Sequence, residues 1–94
     1  MTEPVSLARL VLAEAGNRGV SIAVAESLTG GMVCAQLVAV PGASAVFRGG
    51  VVAYATELKA ALLDVDPRLL DAPGPVSSEV ALAMASGVRA RLGS

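Results

Sequence analysis

The sequence predicts an α/β domain with elements in the order α-β-α-β-α-α. Three observations carry this. Two apolar runs, Val20–Ala25 and Ala43–Ala53, have strand character, and segments with helical spacing alternate with them. The stretch Ala25-Glu26-Ser27-Leu28-Thr29-Gly30-Gly31 reads as a strand turning sharply into a helix. The apolar residues are mostly Ala, Val and Leu, small side chains that suit helices packed closely on a sheet.

Thr2 can cap the first helix, with Pro4 in its first turn. Ala8, Val11, Leu12 and Ala15 share one face, with Leu7 beside them, and Gly16-Asn17-Arg18-Gly19 stops the helix. Val20–Ala25 is apolar on both faces, which predicts a central strand covered on both sides. Leu28 to Val40 reads as the second helix, ended by Pro41-Gly42. Ala43 to Ala53 is the second strand region, where Gly49-Gly50 marks a bulge or a close backbone contact and leaves open a split into two strands. Thr56 is the expected cap of a short helix over Glu57 to Leu63, and Pro67 to Leu70 adds another helical turn. Asp71 to Pro75 is loop. Ser77 caps the last helix, Ser78 to Leu92, with Val80, Met84, Gly87 and Val88 facing inward.

The 94 residues make one domain at most, and 54% hydrophobic content marks a folded globule. The net charge of −1 and the lack of a basic block point away from nucleic acid. One cysteine, Cys34, excludes an internal disulfide and any multi-cysteine zinc site, and buried packing is its expected state. Thr2-Glu3-Pro4 lacks the charged start of a secretory signal, and no apolar run reaches the ~18 residues a membrane span needs. A cytoplasmic protein with no membrane partner is expected.

The chain has no histidine. Nucleophilic chemistry would then need lysine, tyrosine or a carboxylate to handle the proton. Ser27, at a strand-to-helix turn, projects where open α/β sheets bind ligands; the N–H groups of Leu28 to Gly30 could there receive an oxyanion or phosphate. The plainer alternative is that Ser27 caps the second helix. Lys59 falls in the first turn of its helix, where the positive end of the dipole disfavours a cation and favours a neutral amine that can act as a base. A Ser-Lys pair is an established answer to proton transfer without histidine; the alternative is a solvated lysine. Tyr54 could place its phenol between the two, or stand with its hydroxyl in water.

Glu26 points away from Ser27 if both are extended; it can contact a substrate hydroxyl or accept backbone bonds that fix the turn. Thr29 can donate to a phosphate or simply start the helix. Ser44 can line the cleft or serve the turn, and Arg48 can bind an anion or lie at the surface. Asp64 and Asp66 resemble part of a calcium loop but lack its glycine and distal glutamate.

Several separated motifs then agree in order and spacing: Ala25–Gly31, Val40-Pro41-Gly42-Ala43-Ser44, Phe47–Tyr54 with Lys59, and Val76-Ser77-Ser78-Glu79-Val80-Ala81. Together they resemble the CinA C-terminal domain family, the nicotinamide-nucleotide amidohydrolases, over nearly all 94 residues. The resemblance implies a three-layer α/β/α fold, of which this chain holds the first part only. It implies hydrolysis of the carboxamide of nicotinamide mononucleotide (NMN) to nicotinate mononucleotide and ammonia, in pyridine nucleotide recycling. Ser27 is then the implied nucleophile and Lys59 with Tyr54 its activating partners. Thr29, Gly30, Gly31 and Ser44 match positions near the site, with Thr29 or Arg48, or equally the family's segment beyond the position of Ser94, available to the substrate phosphate. No metal or cofactor is implied.

Family members continue beyond the position matching Ser94 with a Thr-Gly-Ile-Ala-Gly-Pro type loop, further strands and a closing helix. Without those parts, apolar sheet edge and helix surface would be exposed, so assembly into a homo-oligomer is expected. A catalytically silent binding or assembly module of the same fold is the alternative to an active amidohydrolase.

Overall fold

Helices lie on both faces of a short parallel sheet. The computed structural model describes residues 6–94. Helix α1 (Leu7–Asn17) is capped by Ser6, whose hydroxyl accepts from the Arg9 N–H at 3.2 Å. The cap expected at Thr2 and Pro4 lies outside the described residues. Strand β1 (Ile22–Glu26) starts two residues later than its apolar run. Helix α2 (Met32–Val38) also starts late, because Leu28–Gly31 form a turn with Gly30 and Gly31 at φ 59° and 109°. Only glycine adopts such values without strain. A single 3₁₀ turn (Ala43–Ala45) precedes β2 (Phe47–Val52), followed by α3 (Thr56–Leu63), α4 (Pro67–Asp71) and α5 (Ser78–Leu92).

The two strands pair in parallel, from Ile22 opposite Phe47 to Glu26 opposite Val52. Gly49-Gly50 does not split β2. The register slips at Arg48, so that Ala23 faces Gly49, and Gly49 takes the positive φ at this bulge. Gly50 serves the close contact instead: a Cβ there would lie 2.3 Å from Cys34 Sγ. Among the described residues β1 has one strand neighbour, and both of its faces are covered as its apolarity predicts.

Strand alternation assigns the faces. Ala23 and Ala25 pack with Val51 against a cluster of Ala53, Leu63, Val65, Val80, Met84 and Val88, mostly supplied by α3 and α5. Ile22 and Val24 pack on the other face with Leu12 of α1 and Leu37 of α2. This is the predicted three-layer α/β/α arrangement. The small side chains of β1 let α5 sit close, and α5 in turn approaches α3 through Gly87, where a Cβ would lie 1.9 Å from the Leu63 carbonyl oxygen. Val80, Met84 and Val88 face inward as their spacing predicts, and Ser77 caps α5 by accepting from the Val80 N–H at 3.2 Å.

Candidate active site

Ser27 follows the last residue of β1, so alternation sends its side chain to the α3–α5 face while Glu26 faces α2. The Lys59 side chain reaches back from α3 to the same point. Its Nζ donates to Ser27 Oγ at 2.9 Å, to the Ala53 carbonyl at 2.9 Å and to the Tyr54 carbonyl at 3.3 Å. Lys59 is only 3% exposed, and no salt bridge reaches it among the described residues. It is therefore not the solvated lysine of the plainer alternative.

Lys59 is the fourth helical residue, because Ala55 and not Thr56 occupies the cap position of α3. The extra residue matters: it lets the side chain run back along the helix axis toward the strand ends. Two backbone carbonyls hold the amine, and the third direction faces Ser27. Neither carbonyl acceptor has a sequence signature, since any residue supplies a carbonyl.

Ser27 does not cap α2. That position belongs to Gly31, and the donors at the head of the helix go to Glu26. Glu26 Oε1 accepts from the N–H groups of Gly31 and Val33, both at 3.1 Å, and Oε2 from the N–H of Cys34 at 2.9 Å. Burial pushes the Glu26 carboxyl up, but hydrogen bonding by Thr29, by Cys34 and by the Val33 N–H outweighs it and holds the group down at about 2. The same contact acts in reverse on Cys34: burial, then the Glu26 hydrogen bond and charge, push its thiol up to about 11. Of the two roles open to Glu26 in the sequence, the structure selects backbone bonds that fix the turn.

This changes the expected anion donors. The Gly30 N–H is bonded to the Ser27 carbonyl and that of Met32 to the Thr29 carbonyl, at 3.1 and 3.0 Å. With Gly31, Val33 and Cys34 held by Glu26, the head of α2 offers no oxyanion site. Among the described residues, the N–H groups of Leu28 and Thr29 have no hydrogen-bond partner and lie directly after Ser27.

Three other expected site residues stand apart. The Tyr54 side chain is 70% exposed, and its phenol makes no hydrogen bond to Ser27 or Lys59; only its carbonyl touches the lysine. Ser44 and Arg48 lie near the amino end of β2, beside the start of β1, roughly five residues of strand or ~16 Å from the Ser27 end. They line a separate cavity with Pro41 and Phe47, and Arg48 Nε donates to the Leu92 carbonyl at 2.6 Å. Within one chain they do not join Ser27. Asp66 caps α4 and pairs with Arg68 at 2.7 Å, and the described residues hold no cluster of three metal-ligating side chains.

The Ser27–Lys59 pair opens on a cavity of about 230 Å³ walled by Ala25, Leu28, Val76 and Met84. Val76 and Met84 were not legible as site residues. Met84 reads as core from its spacing, and the packing of α5 on β1 is what brings the Pro75–Ser77 loop over Ser27. The walls are mostly apolar, so the cavity suits a flat, weakly polar group held against one polar corner.

The fold and this corner define a class: three-layer α/β/α domains with a serine and a buried lysine in contact at the carboxyl end of a parallel strand. Within it, the chain belongs to the CinA C-terminal domain family, whose model matches residues 5–94. A CinA-like protein of Frankia casuarinae is 58% identical over 88 residues, covering 94% of this chain and 20% of that protein. A CinA-like protein of Parasynechococcus marenigrum is 54% identical, with 94% and 21% covered. The crystal structure of competence damage-inducible protein A from Klebsiella pneumoniae superposes with a TM-score of 0.89 at 33% identity, over 94% of this chain and 55% of that one. A competence/damage inducible protein from Agrobacterium tumefaciens gives 0.85 at 34% identity, over 97% and 58%. The chain thus spans about a fifth of its curated relatives and little more than half of these solved domains.

Proposed function

We propose that this chain carries the nucleophile side of an amidohydrolase that converts NMN to nicotinate mononucleotide and ammonia. The observation that carries the reading is the 2.9 Å contact between Ser27 Oγ and the buried Lys59 Nζ in a chain without histidine. In the reactive state the Lys59 amine is neutral. The Ala53 and Tyr54 carbonyls take its two N–H bonds, and its lone pair accepts the Ser27 proton. Ser27 Oγ attacks the amide carbon, and the oxyanion meets the Leu28 and Thr29 N–H groups. The C–N bond breaks as Lys59 returns the proton to the departing ammonia. Water, deprotonated by Lys59, then attacks the ester carbon and releases the acid and Ser27.

The apolar cavity beside Ser27 fits the pyridine ring. Hydrogen bonding between the Thr29 side chain and Glu26 turns it from the cavity, and a second copy of the chain would be needed to bring Ser44 or Arg48 to the phosphate. The reading places the protein in the cytoplasm as a homo-oligomer, with no nucleic-acid or membrane partner. Among the described residues no helix is long and apolar enough to cross a membrane.

Ammonia release from NMN, followed alongside Ser27→Ala and Lys59→Met variants, tests this. Loss of turnover in both is expected, and normal turnover by Ser27→Ala would remove Ser27 as nucleophile. A second reading, a silent assembly module, draws on the exposure of Leu28, Met32, Val33 and Val52 around the strand ends. It predicts a stable oligomer by size exclusion that binds NMN without releasing ammonia.

A further inference from the structure

We propose that Glu26 is the positioning residue of the Ser27 turn, its carboxylate gripping the head of α2 so that Ser27 Oγ is held against Lys59. The proposal rests on the reading of Ser27 as nucleophile. Glu26 and Ser27 are adjacent, so whatever fixes one fixes the backbone of the other. Glu26 is anchored twice. Its carbonyl accepts from the Ala53 N–H at 2.8 Å, which ties it to the residue whose own carbonyl accepts from Lys59. Its carboxylate accepts from Gly31, Val33 and Cys34 across the turn. The segment between the anchors contains Gly30 and Gly31, both at positive φ and without a side chain to restrain them. Such a turn holds its shape only through bonds across it.

Removing the carboxylate would leave three part-buried donors unpaired at the point where the chain is most free to move. Rival roles fit less well. Glu26 is 3% exposed and faces α2, away from Ser27 and the cavity, so it cannot touch substrate. Three N–H donors keep it ionised at neutral pH, so it has no proton to give. What remains is geometry, and a misplacement of ~1 Å costs a nucleophile about 100-fold.

Glu26→Gln is the decisive variant. It preserves shape, yet its amide nitrogen must oppose at least one backbone N–H. With a fluorophosphonate as the probe, a folded Glu26→Gln chain, verified by circular dichroism and a cooperative melt, is expected to label Ser27 roughly 10- to 100-fold more slowly, at an unchanged half-saturating reagent concentration. Amide exchange by NMR should accelerate at least ~10-fold at Gly31, Val33 and Cys34 relative to Ala25 and Ala53. Labelling at the wild-type rate, or no selective acceleration, overturns the proposal. Glu26→Asp, which keeps the charge but shortens the reach, supplies the same two readouts if the glutamine variant does not fold. If the unmodified chain fails to label, the nucleophile reading falls, and amide exchange alone decides whether Glu26 holds the turn.

Discussion

Glu26 and Ser27 are neighbours in the chain that serve opposite faces of the sheet. The Ser27 hydroxyl meets Lys59 at 2.9 Å beside α5, while the Glu26 carboxylate meets the Gly31 N–H at 3.1 Å beneath α2. One residue faces Lys59 and the other bonds across the turn that follows it. Alternation along β1 enforces this division.

Replacing Lys59 by methionine keeps most of the side-chain volume and removes the amine. The variant is expected to fold and to lose Ser27 reactivity by about 100- to 10,000-fold, the range spanned by a general base. Fluorophosphonate labelling rates measure this. Labelling within about twofold of the unmodified chain would exclude Lys59 as the base.

Stability should depend on pH through Glu26. Its carboxyl titrates at about 2 in the folded chain against an ordinary 4.5. A group lowered in this way contributes stability that is fully present above about 4.5 and is lost as pH falls toward 2. Melting temperatures at pH 6, 4 and 3 should therefore decline, and Glu26→Gln should flatten that decline. Equal slopes in the two proteins would show that the carboxylate is not the source.

Cys34 should be a slow thiol. Burial and the neighbouring Glu26 charge hold it near 11, so little thiolate forms at pH 8. Its rate with a disulfide reagent should rise in Glu26→Gln, where the opposing charge is gone. No change in the thiol titration curve would contradict the contact.

Gly50 and Cys34 should behave as a coupled pair. A methyl at Gly50 would meet Cys34 Sγ at 2.3 Å and the Val24 carbonyl oxygen at 3.0 Å. Gly50→Ala should cost about 1–3 kcal/mol, part of which Cys34→Ala recovers because it removes the sulfur but not the carbonyl. Urea denaturation of the two single variants and the double variant tests the coupling, which strict additivity would refute.

Gly87→Ala should be among the harsher small substitutions. The new methyl would lie 1.9 Å from the Leu63 carbonyl oxygen and 2.8 Å from its carbon, where backbone and not a flexible side chain must yield. A loss of about 3 kcal/mol, or failure to fold, is expected by denaturant titration. A loss below about 0.5 kcal/mol would mean that α5 shifts freely over α3.

Much of this protein was written locally. Apolar runs placed α1, β1 and β2, and the Ser77 cap with its apolar face placed α5, because strand alternation and helix periodicity are short-range properties. The absence of histidine and the types of Ser27 and Lys59 narrowed the chemistry before any coordinates. Tertiary structure decided the rest. Leu28–Gly31 became a turn and not helix, because Gly30 and Gly31 take positive φ while Glu26 claims the donors that a longer α2 would bond internally. The Tyr54 phenol turned out to solvent, and Ser44 and Arg48 fell at the far end of the strands, because parallel pairing sends residues before and after a strand to opposite ends of the sheet. The sequence determined which side chains were available; packing of α3 and α5 on one face of β1 decided which of them meet.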